Sequence, residues 1–105
     1  MSHFREKVYN LVKTIPKGKV STYKNIAHAL NSTAYRAVGQ AMRHSPGMPK
    51  VPCHRVIASN GTIGGFNGQT KGKDIKRKLA LLKKEGVKFK HGKIQDNRKI
   101  IILFY

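Results

Sequence analysis

The sequence predicts a mainly helical α+β fold, built round a helix-turn-helix and ending in a short C-terminal hairpin. Apolar residues recur at helical spacing in several separate segments, which sets the class. Two of those segments are joined by a few polar residues, the spacing of a helix-turn-helix. Near the end the period changes to two, with Val87 and Phe89 alternating with Lys88 and Lys90.

From His3 to Thr14, the residues Phe4, Val8, Leu11 and Val12 share one helical face, and Ile15-Pro16-Lys17-Gly18 then stops the helix. Ser21 or Thr22 can cap a second helix carrying Ile26, Ala27 and Leu30. Asn31-Ser32-Thr33 breaks it before a third, from Ala34 to Arg43. Two prolines and a glycine between Ser45 and Lys50 make a loop. Val51 to Ile57 is too short and too proline-marked for a helix, so it reads as a constrained turn entering a short strand. Ser59-Asn60-Gly61 is a hairpin-type turn, and Gly64, Gly65 and Gly68 leave the backbone round Phe66 free to approach another group closely. Asp74 to Glu85 places Ile75, Leu79 and Leu82 on one face, interleaved with lysines, with Gly86 at its C-terminal cap. The tail then turns at His91-Gly92 to form the hairpin.

With 105 residues and no linker, repeat or low-complexity tract, everything falls in one unit, residues 1 to 105. The longest apolar run, Ile100 to Tyr105, is far short of the about 20 residues a membrane span needs, so no membrane partner is expected. One cysteine makes no internal disulfide and suits a reducing compartment. Charge is the loudest signal: 22 Lys and Arg face four acids, Glu6, Asp74, Glu85 and Asp96, for a formal charge of +18. Such a surface suits a polyanion, because each cation that displaces a condensed counterion from duplex DNA strengthens binding. A merely solvated face is the plainer alternative.

Cys53 is either a small buried hydrophobe or, as a thiolate, a nucleophile. Its neighbours His54 and Arg55, in a strongly positive chain, favour the thiolate, although side chains adjacent in sequence need not face each other. Glu85 is either a surface charge among lysines or the group that orients His54, in nucleophile-base-orienter fashion. A zinc site built from one cysteine and scattered histidines lacks ligand-pair spacing, so no metal or cofactor is expected; His3, His28, His44 and His91 read as surface residues.

The run Val51-Pro52-Cys53-His54-Arg55-Val56-Ile57, followed by Gly61 and by Gly64-Gly65-Phe66-Asn67-Gly68, closely resembles the O6-alkylguanine-DNA alkyltransferases. Ile15 to Val20, Thr22-Tyr23, Arg36 to Met42 and Leu81 to Gly86 follow the family's order too, so the resemblance covers about residues 4 to 89. It implies the family's C-terminal, winged-helix-like DNA-binding and active-site domain. It also implies direct-reversal repair: a monomer binds double-stranded DNA in the minor groove, flips O6-alkylguanine out of the stack and moves the alkyl group irreversibly onto its own cysteine. The protein would then be a single-turnover methylated-DNA–[protein]-cysteine S-methyltransferase.

Carried over by position, Cys53 is the acceptor, His54 the base that takes its proton through a water, and Glu85 the residue that orients His54. Tyr23 crowds the target's phosphate and can give a proton to the leaving guanine. Arg36 fills the gap in the stack. Ala34, Ala37, Gly39 and Ala41 are small so that the helix can lie close to the groove floor. Pro52, Val56, Ser59 and Asn60 supply the pocket's backbone, and Phe66 with Asn67 wall it.

Three departures matter. Ser45 stands where the family usually has an asparagine that braces the active-site turn, and Phe66 where tyrosine is common. The chain begins almost at the DNA-binding domain, without the family's usual N-terminal domain. That shortness is shared with the alkyltransferase-like proteins, which bind the lesion without a cysteine and flag it for another pathway; a non-enzymatic lesion sensor is therefore the alternative. A DNA-coating architectural protein and a Cys-His hydrolase are further readings, the second disfavoured by the absence of an oxyanion motif. The implied location is the cytoplasm, with the nucleoid, or the nucleus in a eukaryote.

Overall fold

The computed structural model describes residues 2–46, 50–64 and 72–101. The first helix, α1, runs Ser2–Lys13 and ends where Thr14 and Ile15 close the last turn onto Leu11 and Val12. A two-residue strand, β1 (Ser21–Thr22), leads directly into α2 (Tyr23–Ala29), which Thr22 caps by accepting the Asn25 N–H at 3.1 Å. Of the two expected caps, Thr22 is the one used. Asn31 then takes the left-handed conformation, φ 54°, that stops α2. The Ser32 hydroxyl accepts the Ala34 N–H ahead of α3 (Tyr35–Arg43), completing the helix-turn-helix.

Cys53–Arg55 form one 3-10 turn, followed by β2 (Val56–Ile57), which pairs in parallel with β1, Ser21 opposite Val56 and Thr22 opposite Ile57. The sequence foresaw this strand but not its partner. Helix α4 spans Lys73–Lys84. The hairpin is β3 (Phe89–Lys90) with β4 (Lys93–Ile94), and its tip residues His91 and Gly92 both have positive φ, the backbone of a type I′ turn. Ile100 and Ile101 are no part of the hairpin. They lie along Val20, where Ile101 donates to the Val20 carbonyl at 2.7 Å.

Two apolar clusters meet at β2, because successive strand residues face opposite ways. Val56 joins Val8, Val12, Ile15, Ile26, Ala27, Val38, Ala41 and Val51, the core of the first three helices. Its neighbour Ile57 joins Val20, Leu82, Val87 and Ile94, the core under α4 and the hairpin. Burying each valine, isoleucine or leucine among them contributes about 1.5–3 kcal/mol. The Cys53–Arg55 turn just before β2 is thereby clamped from both sides.

Gly86 fixes how α4 ends. With φ 90° it occupies the left-handed position after the helix, where its N–H meets the Lys83 carbonyl and the Val87 N–H meets the Leu82 carbonyl at 2.8 Å. This Schellman arrangement makes Glu85 the last residue of the helical curl and aims it at the turn. Gly86→Ala puts a Cβ into left-handed backbone, and chemical denaturation should show a loss of about 1–2 kcal/mol.

Candidate active site

Cys53 enters the site on a turn whose conformation is set by proline. The Cys53 N–H reaches back to Val51 at 2.8 Å and the Arg55 N–H to Pro52 at 3.0 Å, while Val51 and Pro52 are buried. The thiol itself is half-buried and packs against the first core. Ser45, just past the end of α3, hydrogen-bonds the Cys53 sulfur through its hydroxyl. The end of the third helix is thus tied to the cysteine by Ser45, the residue expected to brace this turn.

His54 is fully buried, and its Nε2 lies 3.0 Å from Glu85 Oε2. The same carboxylate takes a two-pronged bond from Arg55, Nε to Oε1 at 3.0 Å and Nη2 to Oε2 at 2.8 Å. Arg55 continues to the Ile15 carbonyl at 3.0 Å, so the network anchors the end of α1 as well. Hydrogen bonds from Arg55 hold the Glu85 carboxyl down at about 2, ahead of the bond from His54. Burial pushes the His54 imidazole below its ordinary value, against the opposing pull of Glu85.

An ionised carboxylate only accepts, so the hydrogen of neutral His54 resides on Nε2 and a lone pair on Nδ1. Among the described residues no group bonds that buried Nδ1. The arrangement can therefore take up a proton at Nδ1 and stabilise the imidazolium through Glu85. That is the chemistry required of a base serving a thiol.

The sequence reading missed Lys78. Its side chain, expected on the basic outer face of α4, is fully buried, and Nζ donates to the carbonyls of Val56 and Ile63, each at 2.7 Å. Burial lowers it to about 7, with the nearby Cys53 pulling the other way. A signal was present: Ile75, Lys78, Leu82 and Glu85 follow one another at helical spacing, so the lysine falls on the face that Ile75 and Leu82 bury. Arg55 was also passed over as a site residue, although its two bonds make Glu85 a structural hub.

The remaining expected residues divide by location. Tyr23 opens α2, half-buried, and its ring and hydroxyl lie 3.3–3.4 Å from where a Cβ on Gly64 would stand. A side chain there would also meet the Ala58 nitrogen at 3.2 Å, so glycine lets the loop fold back against Tyr23. Ser59 and Asn60 are exposed, and Asn60 Oδ1 holds the turn by accepting from the Thr62 N–H and hydroxyl. Arg36 is exposed near the start of α3, Ala34 is exposed at its cap, and Ala37 and Gly39 are half-buried. Ala41, one turn beyond Ala37, differs from them in burial. It is fully buried in the first core, with its carbonyl accepting the Tyr9 hydroxyl at 2.7 Å, so its small size serves packing and not a groove contact. Phe66 and Asn67 lie outside the described residues. His3, His28, His44 and His91 are exposed, and among the described residues no His, Cys, Asp and Glu side chains assemble into a metal-binding group. No described helix is long and apolar enough to cross a membrane.

Comparison with known proteins gives a consistent picture. Residues 3–87 match the family described as 6-O-methylguanine DNA methyltransferase, DNA binding domain. The methylated-DNA–protein-cysteine methyltransferase of Saccharolobus solfataricus is 51% identical over 81% of this chain and 52% of its own length. That of Sulfolobus acidocaldarius is 46% identical over 83% and 52%. The chain thus spans about half the length of the curated relatives it matches. Among solved structures, the Mycobacterium tuberculosis OGT in complex with DNA superposes with TM-score 0.70 at 40% identity, covering 79% of this chain and 48% of that one. S. pombe Atl1 in complex with damaged DNA containing O6-carboxymethylguanine gives 0.73 at 43% identity, covering 84% and 80%. S. pombe ATL in complex with DNA gives 0.78 at 37% identity and covers 96% of both chains.

Proposed function

Because the chain belongs to the 6-O-methylguanine DNA methyltransferase family, we propose that it repairs DNA by moving the alkyl group of a flipped O6-alkylguanine onto Cys53. The observation that carries this reading is that Cys53 and the fully buried His54 share one turn, with His54 Nε2 bonded to the ionised Glu85 that reaches in from the end of α4. The Cys53 proton passes through a bridging water to His54 Nδ1. The thiolate then attacks the alkyl carbon: an S–C bond forms, the C–O6 bond breaks, and its electron pair stays with guanine. Tyr23 supplies the proton that guanine takes up as it leaves. No metal or cofactor enters these steps.

Duplex DNA is the partner in this reading, with α3 in the minor groove. Arg36 stands exposed at the start of that helix and fills the gap left by the flipped nucleotide. Flipping is physically required, since a stacked base denies sulfur the line of approach that displacement needs. Arg36→Ala should weaken binding to a lesion-bearing duplex more than to an undamaged one; equal losses, measured by fluorescence anisotropy, reduce Arg36 to a phosphate contact. The reading as a whole is tested by recovery of plain guanine from the nucleosides of a treated O6-methylguanine duplex.

One observation favours a second reading, lesion binding without transfer. The superposition that spans nearly all of both chains is with S. pombe ATL in complex with DNA, whereas the curated methyltransferases are matched over half their length. Transfer is the reading preferred, because Cys53 stands next to a buried His54 whose Nε2 is bonded to Glu85, an arrangement that lesion binding alone does not call for.

A further inference from the structure

The tail beyond residue 87 lies outside the family match and carries no role in the reading above. Its hairpin is nevertheless firmly held. Lys93 bridges Thr62 in antiparallel register, Ile94 donates to the Gly61 carbonyl at 2.9 Å, and the Ile94 side chain is buried in the second core. The hairpin therefore stands directly beside the Ser59–Thr62 turn.

Its two faces differ sharply. Phe89 and Ile94, paired across the strands, face the core. On the outer face stand Lys90 and Lys93, directly opposite each other, with Lys88 and Gln95 beyond them, joined by the Gln95 N–H to the Lys88 carbonyl at 2.9 Å. All four are exposed, as is His91 at the tip. No acid shares this face, and the nearest in sequence, Asp96, is taken by Arg98 at 3.1 Å. Like charges opposed across a hairpin repel, and an anion laid against both relieves that repulsion.

We propose that the outer face of the β3–β4 hairpin is a phosphate-gripping wing, which binds the backbone of duplex DNA beside the pocket turn. The inference rests on the DNA-binding reading and adds a contact surface to it. Lysine suits this task, since backbone phosphates call for charge and reach and carry no base information.

The test compares Lys90→Gln/Lys93→Gln with Lys76→Gln/Lys83→Gln, which removes the same charge from the exposed outer face of α4. Affinity for an undamaged duplex is measured across salt concentrations. The hairpin pair should lower the slope of log affinity against log salt by about 1.8, two phosphate contacts' worth, while the α4 pair leaves it near the wild-type value. Equal changes in both pairs, or none in the hairpin pair, overturn the wing. Loss confined to a polyglutamate probe assigns the face to an acidic protein segment and overturns it too. Wild-type protein that binds no duplex refutes the DNA-binding reading itself, a result distinct from failure of the hairpin pair alone.

Discussion

Glu85→Ala should cost about 3 kcal/mol in urea denaturation, because it strands the fully buried His54 and the partly buried Arg55 at once. Arg55 loses both prongs of its bond and His54 loses the acceptor that fixes its tautomer. Transfer to a lesion duplex should fall at least about 100-fold, since a histidine free to turn no longer offers Nδ1 as the base. Glu85→Gln separates charge from shape. It keeps an acceptor oxygen but not the ion pair, so it should fall between wild type and Glu85→Ala. The pH dependence has a definite sign. The carboxyl sits at about 2 when folded, below its unfolded value of about 4.3, so its contribution is complete above the unfolded value and disappears as pH falls through the folded one. The gap in stability between wild type and Glu85→Gln should therefore narrow steadily from pH 5 to pH 2. A loss below about 1 kcal/mol for Glu85→Ala would return Glu85 to the status of a surface charge.

Cys53→Ala should abolish alkyl transfer while leaving lesion binding within a few-fold of wild type. The sulfur is the sole thiol of the chain, and as a thiolate it is the strongest nucleophile the turn can offer. In the proposed reading binding rests on other parts, the exposed face of α3 and the loop beside Tyr23. Stability should change by less than about 1.5 kcal/mol, because the thiol is only half-buried and its loss removes one bond from Ser45. Residual transfer by this variant would place the acceptor elsewhere. Loss of binding together with transfer would make Cys53 part of the recognition surface.

Much of this arrangement was legible in the chain because it is written in local signals. Helical spacing of Val8 and Val12, the Asn31 break, the Thr22 cap and Gly86 all act within a few residues of themselves. The scarcity of acids also made Glu85 conspicuous. What the sequence concealed depends on contacts between distant segments. The parallel pairing of Ser21–Thr22 with Val56–Ile57 has no local signature, because such short strands are specified by the cores on either side. Lys78 was hidden by its chemistry: a lysine in a basic helix reads as solvent-facing, and its bonds to the carbonyls of Val56 and Ile63 help make its burial tolerable. Ala41 was misjudged for the converse reason. Small residues on a helix look alike whether they face a groove or a core, and only the packing against α1, including the Tyr9 hydroxyl, separates the two.

The decisive measurement is the intact mass of the protein after incubation with a duplex carrying one O6-methylguanine, followed by peptide mapping. Transfer predicts a protein heavier by one CH2 unit, a methyl in place of a thiol hydrogen, with the added mass on the peptide that contains Cys53. An unchanged mass, from protein that binds the lesion duplex tightly and selectively, would contradict transfer and leave a lesion sensor that carries an unused cysteine.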